Sequence, residues 1–349
     1  MTESSAVEFP AIPYPWQQGE WQHLQEQHSA KKLPHALIFA GQRGIGKRHL
    51  VQALGQFLLC LTPRSGLPCG ECRGCELNRA ETHPDIHLLE PEEAGKAIKV
   101  DQVRAITDFV SKTSQQGGYK VVIIDPAEAM NINASNALLK SLEEPSGDTV
   151  LLLVSHVPSA VMATIRSRCQ LLSLAAPLRR QALPWLENLV SGNADAEALL
   201  DFANGAPLDA LAMLQGDALE QRAALLRDIE AVSLGQLSPL EAAGKWMAYA
   251  PSEVLEWLLK WLHGLSRFLG TGHQVRGRDI PASLENLLAG IQQPHLYRYV
   301  DKVMSAKRQL QSGANPNKQL LLEELLMDWS ALTRLAAGSG QPRRNGLSW

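Results

Sequence analysis

Short apolar runs alternate with amphipathic stretches through the first half of the chain, between His35 and Gln170. Continuous apolar runs are typical of strands in a parallel sheet, because such strands are buried on both faces. The amphipathic stretches have apolar positions at helical spacing and predict helices that cover the sheet. The predicted strands are 36–40, 86–89, 121–124 and 150–154, and the predicted helices are 46–59, 101–110 (with Asp101 as its N-cap) and 133–144.

The pattern changes after Leu174, and no further strand is predicted beyond that residue. Pro177 and Pro184 are predicted to bracket a break, because proline interrupts regular structure. Residues 178–215 then have the pattern of short helices, interrupted near Gly205. This stretch predicts a small helical domain that follows the α/β module.

Residues 219–335 are rich in leucine and alanine and predict long helices. Trp257, Trp261 and Leu265 fall at positions i, i+4 and i+8 and therefore share one helix face. Such a stripe more often marks a hydrophobic core than a binding site. Residues 338–349 contain glycine, proline and two adjacent arginines and predict a flexible tail.

The composition is that of an ordinary globular protein. The chain has 349 residues, 45% of them hydrophobic and 20% charged, and a net charge of −3. This balance argues against a broad nucleic-acid-binding surface. Residues 1–10 lack the apolar segment of a secretion signal, and no run approaches the roughly 20 apolar residues that span a bilayer. We therefore expect a cytoplasmic protein without a membrane partner.

A phosphate-binding loop follows the first predicted strand, but one position departs from the pattern. The segment 41–48, GQRGIGKR, keeps Gly41, Gly44, Gly46 and Lys47 of the pattern G-x-x-x-x-G-K-[ST]. The last position normally supplies a hydroxyl to Mg²⁺, whereas Arg48 has no lone pair to offer a metal. Lys47 keeps the charge that binds phosphate. The loop therefore predicts the frame of a nucleotide site without productive Mg-ATP binding.

A second departure follows the predicted strand at 121–124. Asp125 occupies the place of the acid that helps to hold Mg²⁺ at the carboxyl edge of such a sheet. In AAA+ ATPases a glutamate follows and activates water, but Pro126 stands here, and Glu128 lies three positions beyond the aspartate. Two independent losses of catalytic atoms predict an ATPase fold that no longer hydrolyses ATP.

Four of the five cysteines form a C-x8-C-x2-C-x2-C cluster, Cys60, Cys69, Cys72 and Cys75. Gly70 and Gly74 are expected to ease tight turns, so that the four thiolates approach one tetrahedral ion. Four thiolates fill the coordination sphere of zinc, which predicts a structural ion and leaves His83 and His87 as solvated side chains. A reduced set or two disulfides is the alternative. Cys169 is expected to be a small core residue.

Two further segments are specific enough to suggest a family. Residues 136–145 have the sequence NALLKSLEEP, and Ser167-Arg168-Cys169 follows after one predicted strand. Together with His35-Ala36-Leu37, the loop and the cysteine cluster, they resemble the clamp-loader subunits of bacterial DNA polymerase III, of the AAA+ class. The resemblance is strong over the first half of the chain and covers the second half only in general character.

Within that family the resemblance is to a subunit that does not hydrolyse ATP. The motor subunits, gamma and tau, keep the loop hydroxyl, the Asp-Glu pair and an arginine in a Gly-Ser-x-Arg-Asp motif. The matching segment here, 205–209, has the sequence GAPLD, with Leu208 in place of the arginine. These are three departures in three segments, which is the profile of the stator subunit, and Tyr14-Pro15-Trp16 is similar to the start of stator chains.

The resemblance also implies roles for single residues. Arg168 would be an arginine finger that reaches the γ-phosphate bound by a neighbouring subunit, and the alternative is an arginine paired with a local carboxylate. Ser155 matches the sensor position at a strand end, although a serine there can simply cap the next turn. Arg166 and Arg168 together could contact the DNA backbone, a weaker expectation.

The resemblance finally implies domains and partners. The expected domains are an AAA+ module with a zinc insert at 60–75 (1–174), a small helical lid (175–216), a helical collar for oligomerisation (217–337) and the tail (338–349). The expected partners are the gamma/tau and delta subunits in a hetero-oligomeric ring, and through the complex the sliding clamp and primed DNA.

Two other functions compete with this interpretation. The first is a motor-type ATPase with an atypical site, in which Lys47, Asp125 and Glu128 suffice for hydrolysis. The second is a zinc-stabilised DNA-binding module, which would have a basic charge balance that this chain lacks.

Overall fold

The computed structural model describes residues 9–93, 95–145, 147–190, 195–214, 218–271, 280–311 and 316–339. The chain divides into two compact units, one of residues 1–191 and 203–210 and the other of residues 192–202 and 211–349. Within the described ranges, no helix is long and apolar enough to cross a membrane. Residues 340–349 of the expected tail lie outside the described residues.

A five-stranded parallel sheet in the order β2-β3-β4-β1-β5 forms the centre of the first unit. Every residue of β1, β3 and β4 is buried, which explains why their sequences are continuous apolar runs. All four predicted strands are confirmed, whereas β5 was not predicted because it is a short edge strand with mostly exposed side chains. The strands are β1 (Ala36–Ala40), β2 (Ile86–Leu89), β3 (Lys120–Ile124), β4 (Thr149–Ser155) and β5 (Gln170–Ser173).

Seven α-helices of the described chain lie wholly in the first unit. The prediction of Asp101 as an N-cap is wrong, since Lys99 is the N-cap and its N–H donates to Gln102 Oε1 at 2.9 Å. Pro184 does not bracket a break but lies inside the last helix, where proline removes only one N–H from the ladder. The helices are α1 (Gln18–Ser29), α2 (Lys47–Leu58), α3 (Arg73–Arg79), α4 (Val100–Ser111), α5 (Ile132–Glu143), α6 (Ala163–Arg166) and α7 (Arg179–Leu189).

The second unit consists of helices and their connections, with no strand among its described residues. Its core contains three fully or almost fully buried tryptophans, Trp246, Trp261 and Trp329, and the indole N–H of Trp329 donates to Ser233 Oγ at 2.8 Å. The interpretation of the Trp257 stripe as core is confirmed, because that side chain packs on the same cluster. The remaining helices are α8 (Ala196–Phe202), α9 (Pro207–Leu214, shared by the two units), α10 (Ala218–Ser233), α11 (Pro239–Trp246), α12 (Pro251–Thr271), α13 (Ala282–Ala289), α14 (Gln293–Gln311) and α15 (Lys318–Ser339).

Candidate functional site

The phosphate loop keeps the backbone form that its glycines predict. It connects the buried end of β1 to α2, and Gly46 is the N-cap of that helix. Gly44 and Gly46 have φ values of +76° and +84°, in the left-handed region that favours glycine. The N–H of Gly41 donates to the carbonyl of Ser155 at 3.2 Å, so the loop starts beside the end of β4. The frame of a nucleotide site is therefore present.

The loop lysine is engaged within the loop itself. Lys47 is buried, and its Nζ donates to the carbonyl oxygens of Gly41 at 2.7 Å and Gln42 at 2.6 Å. In a working loop this ammonium group contacts the β- and γ-phosphates. In this chain its charge is directed to two carbonyl oxygens of its own loop.

Arg48 provides a cation beside the acid at the end of β3. Its guanidinium lies 3.5 Å from Asp125 Oδ2 and also forms an ion pair with Glu90. Asp125 is only 6% exposed, so its carboxylate needs a positive partner inside the protein. The guanidinium supplies charge without any atom that can coordinate a metal. The residues present thus do not fit a magnesium ion at this position.

The N-terminal segment covers the loop from one side. Trp16 Nε1 donates to the carbonyl of Ile45 at 3.0 Å, and Gln17 Nε2 donates to the carbonyl of Gly46 at 2.8 Å. A Cβ atom on Gly46 would lie 2.5 Å from the ring of Tyr14. The ring of Trp185 packs edge-on against both aromatic rings of this segment. Side chains of the chain therefore occupy the surface of the loop.

The start of α9 covers the same loop through Gly44. The N–H of Leu208 donates to the carbonyl of Gly44 at 3.0 Å, and a Cβ on Gly44 would lie 2.5 Å from Asp209 Cγ. Gln42 Nε2 also donates to the carbonyl of Asn204 at 3.2 Å. Leu208 occupies the place where the motor subunits of the resembling family have an arginine. In this chain Leu208 contributes a backbone hydrogen bond that covers the loop at Gly44.

Glu128 and Ser155 lie at the same edge of the sheet, and the structure shows the contacts and burial of each. Glu128 Oε1 accepts hydrogen bonds from the N–H groups of His156 at 2.8 Å and Val157 at 3.2 Å. The carboxylate thus holds the turn after β4. Ser155 is fully buried at the end of β4, and its Oγ has no hydrogen-bond partner among the residues that the structure describes.

Arg168 lies between α6 and β5 with a partly exposed side chain. Its Nε donates to Glu143 Oε1 at 2.8 Å, its Nη2 lies 2.5 Å from the same oxygen, and its Nη1 donates to the carbonyl of Thr164 at 2.9 Å. In the chain by itself, Arg168 therefore has the local carboxylate partner that the sequence left open as an alternative. Arg166 contacts the carbonyl of Pro158 through Nη1 at 3.0 Å.

The four clustered cysteines meet as predicted, with all four Sγ atoms within 4.8 Å of one another. The separations are 3.9 Å for Cys60 and Cys72 and 3.8 Å for Cys69 and Cys75. Four Zn–S bonds of about 2.3 Å in a tetrahedron place the sulfurs about 3.8 Å apart. The cluster therefore fits a tetrahedral metal ion with four thiolate ligands.

The surroundings of the cluster shift the pKa values of its thiols in both directions. Backbone N–H groups donate to the sulfurs, including that of Cys69 to Cys60 at 3.2 Å and that of Cys72 to Cys69 at 3.3 Å. A hydrogen bond from the Thr62 hydroxyl, followed by backbone donors, lowers the pKa of Cys69 to about 5. Burial raises the pKa values of Cys60 and Cys75, and a metal ion bound by the four sulfurs would stabilise their thiolate forms.

Two expectations near the cluster are wrong. Gly74 does not ease a turn but lies inside α3, where a Cβ would come 2.3 Å from the carbonyl oxygen of Leu59. His83 is buried and not solvated; burial lowers its pKa, and its Nδ1 accepts the N–H of Asp85 at 3.1 Å.

Cys169 packs at the margin of the sheet's core and is only partly buried.

No sequence pattern marks the residues that cover the loop, namely Trp16, Gln17 and Asp209. Their contacts join segments that are far apart in the chain, for example 29 residues for Gln17 and Gly46. The Trp16 position lay in a segment noted only for its resemblance to stator chains. No spacing in the sequence marks Asp209 as a residue that contacts Gly44.

Comparison with known proteins places these features in one family. Residues 16–177 match the family model described as DNA polymerase III, delta subunit, and residues 216–331 match its C-terminal domain model. A protein named DNA polymerase III subunit delta' from Pseudomonas aeruginosa is 40% identical over 91% of this chain and 98% of its own length. The subunit delta' of Escherichia coli is 36% identical over 90% of this chain and 94% of its own length.

Solved structures add a distant likeness. A DNA polymerase III gamma subunit-related protein from Thermotoga maritima covers 90% of this chain and 99% of its own, with a TM-score of 0.44 and 19% identity. A likeness at that level carries no weight for function. The sequence matches, which extend over nearly the whole chain, carry the assignment.

Proposed function

The chain belongs to the delta' subunits of DNA polymerase III, and from that membership we propose that it is the non-hydrolysing stator of a clamp loader. It is a component of the polymerase holoenzyme and has no catalysis of its own. Arg168 acts in trans on the ATP bound by an adjacent motor subunit, so that the sliding clamp is loaded on primed DNA.

The observation that carries this proposal is the engagement of both loop cations within the chain. Lys47 bonds to two carbonyl oxygens of its loop, and Arg48 pairs with Asp125 and Glu90. Binding Mg-ATP at the loop would require breaking these contacts and displacing the covering side chains. Hydrolysis would further require a metal ligand that the loop lacks.

The exposure of Arg168 supports its proposed action on ATP that is bound by a neighbouring subunit. Its side chain is 36% exposed, so another subunit can reach it. A guanidinium that approaches the γ-phosphate neutralises charge in the transition state, and such fingers contribute on the order of 10³–10⁵ in rate. Its pairing with Glu143 uses Nε and one side of Nη2, so the guanidinium can donate to a phosphate oxygen while the pair persists.

The remaining parts follow the same family assignment. The four cysteines hold a structural zinc ion in the insert at 60–75. Residues 175–216 form the lid and residues 217–337 the collar that joins gamma/tau and delta subunits in a ring. The complex works in the cytoplasm, where it meets primed DNA and the clamp.

The test is ATP turnover by a loader reconstituted with variants of this chain, with clamp and primed DNA present. Arg168→Ala is expected to abolish the share of turnover that depends on the finger, whereas Lys47→Ala is expected to leave turnover per assembled complex unchanged. The opposite result, loss with Lys47→Ala alone, would establish a motor-type ATPase.

A further inference from the structure

Arg168 and Glu143 are both attached directly to the core of the α/β unit. Glu143 is the last residue of α5 and follows Leu142, which is buried against the sheet. Arg168 follows α6 by two positions and lies three residues after Ile165, which is fully buried in the same cluster. The backbone positions of the two partners are therefore set by packing and not by a mobile loop.

The contacts orient the guanidinium in a particular way. Glu143 Oε1 accepts from both Nε and Nη2, while Nη1 donates to the carbonyl of Thr164 at 2.9 Å and to Ser167 Oγ at 3.4 Å. A guanidinium has five N–H donors in a rigid plane, so these four contacts fix the plane and leave one hydrogen on Nη2. That hydrogen remains available to an oxygen atom of another molecule.

The ion pair between Arg168 and Glu143 has different consequences for folding stability and for catalysis. The side chains of Arg168 and Glu143 are 36% and 50% exposed, so the ion pair contributes little to folding stability. An unrestrained arginine, however, populates many rotamers, and ordering it at the moment of reaction slows catalysis. A carboxylate that already holds Nε before the reaction removes most of the entropic cost of ordering the arginine side chain.

We propose that Glu143 is the positioning residue of the arginine finger: it fixes the plane of Arg168 and directs the remaining Nη2 hydrogen to the γ-phosphate of the neighbouring subunit. The inference rests on the proposed function of Arg168. Glu143 touches neither ATP nor the reacting atoms, and it acts only through the guanidinium.

The experiment uses the reconstituted clamp loader with Glu143→Ala, Glu143→Gln and Glu144→Ala in this chain. Glu143→Ala removes the acceptor, and Glu143→Gln keeps an oxygen acceptor without the charge. Glu144→Ala removes the same charge one residue away and is the matched control, since that exposed side chain lies outside the Arg168 contacts. Complex assembly and melting temperature are measured for every variant.

We expect Glu143→Ala to lower kcat of the Arg168-dependent ATP site about 10–100-fold, with KM for ATP unchanged, because misplacement of a catalytic group costs up to about 10²-fold. Glu143→Gln should restore part of the rate, and Glu144→Ala should match the unmodified loader. A rise in KM together with poor assembly would instead assign Glu143 a merely structural role and overturn the proposal.

A double variant separates the two proposals. In the Arg168→Ala background, Glu143→Ala should cause no further loss, because the group that it positions is gone. If Arg168→Ala lowers turnover and Glu143→Ala does not, the positioning role is wrong and the finger remains. If Arg168→Ala itself has no effect, the proposed function fails, whatever Glu143 does.

Discussion

Charged side chains at the two edges of the parallel sheet differ in how far they are exposed to solvent. The carboxyl edge carries the phosphate loop after β1 and Asp125 after β3, whereas the amino edge carries Arg168 before β5. The side chains of Arg48 and Asp125 are 14% and 7% exposed, but those of Arg168 and Glu143 are 36% and 50% exposed.

This difference agrees with the proposed function, in which the chain does not hydrolyse ATP and Arg168 acts on a neighbouring subunit. Ligands of open α/β sheets bind outside the carboxyl ends of the strands, and here that edge is filled by side chains of the same chain. The contacts of Arg168 at the amino edge involve no residue of the phosphate loop. The side chains that fill the carboxyl edge therefore do not alter the position of Arg168.

Removal of the metal should produce the largest change, and it should be confined to the cysteine cluster and the end of α2 that precedes it. Structural zinc contributes apparent binding free energies on the order of 10 kcal/mol in small zinc peptides, and α2 ends two residues before Cys60. Chelation should raise hydrogen exchange in residues 54–75 but not in residues 163–168, as followed by mass spectrometry.

Zinc content supplies the control for that prediction. The purified chain should contain about one zinc per molecule, since four thiolates close one site. Cys72→Ser should reduce this content, whereas Cys169→Ser should preserve it. A folded chain that contains no zinc after purification without chelator would contradict the assignment.

Arg48→Ala should be the most destabilising substitution at the loop. It leaves the nearly buried Asp125 without the guanidinium, and breaking a buried ion pair by removing one partner costs about 3–5 kcal/mol. Urea denaturation followed by circular dichroism measures the change. A shift of the midpoint too small to resolve would mean that groups other than Arg48 balance Asp125.

Gly44→Ala tests whether Asp209 really fills the loop. Alanine at a left-handed φ costs about 1–2 kcal/mol by itself, and here its Cβ would also displace the Asp209 side chain. Gly117→Ala is the matched control, because its φ is +79° and no atom lies within 4 Å of the added Cβ. Equal losses of unfolding free energy for both variants would show that the contact with Asp209 is loose.

Arg168→Ala should have the smallest effect on stability. The exposed pair with Glu143 contributes about 0–1 kcal/mol to the free energy of unfolding. The same urea experiment should therefore separate Arg168→Ala clearly from Arg48→Ala. Similar losses for the two arginines would remove the distinction between the edges.

The sheet and the cysteine cluster could be predicted from local patterns. Strands β1 and β2 have the predicted bounds because each is a short apolar run, and the Cys spacing alone brings four sulfurs together. The strand β5 was missed because an edge strand need not be apolar. His83 was placed wrongly, since a neutral imidazole can be buried once one nitrogen has a partner.

The state of the site was harder to predict than its location. The sequence identifies Arg48 as a departure and Asp125 as a retained acid, but the pairing between them joins side chains 77 positions apart, which no spacing reveals. The same holds for the indole of Trp16 on the carbonyl of Ile45. Long-range contacts of this kind depend on tertiary packing, whereas the motif itself is local.

Mg-ATP binding to the purified chain, measured by isothermal titration calorimetry, decides whether the carboxyl edge is filled. We predict no saturable heat, with any Kd weaker than about 1 mM, because Lys47, Arg48 and the covering side chains already occupy the loop. A Kd in the micromolar range that disappears with Lys47→Ala would contradict this, since it would show a working phosphate loop.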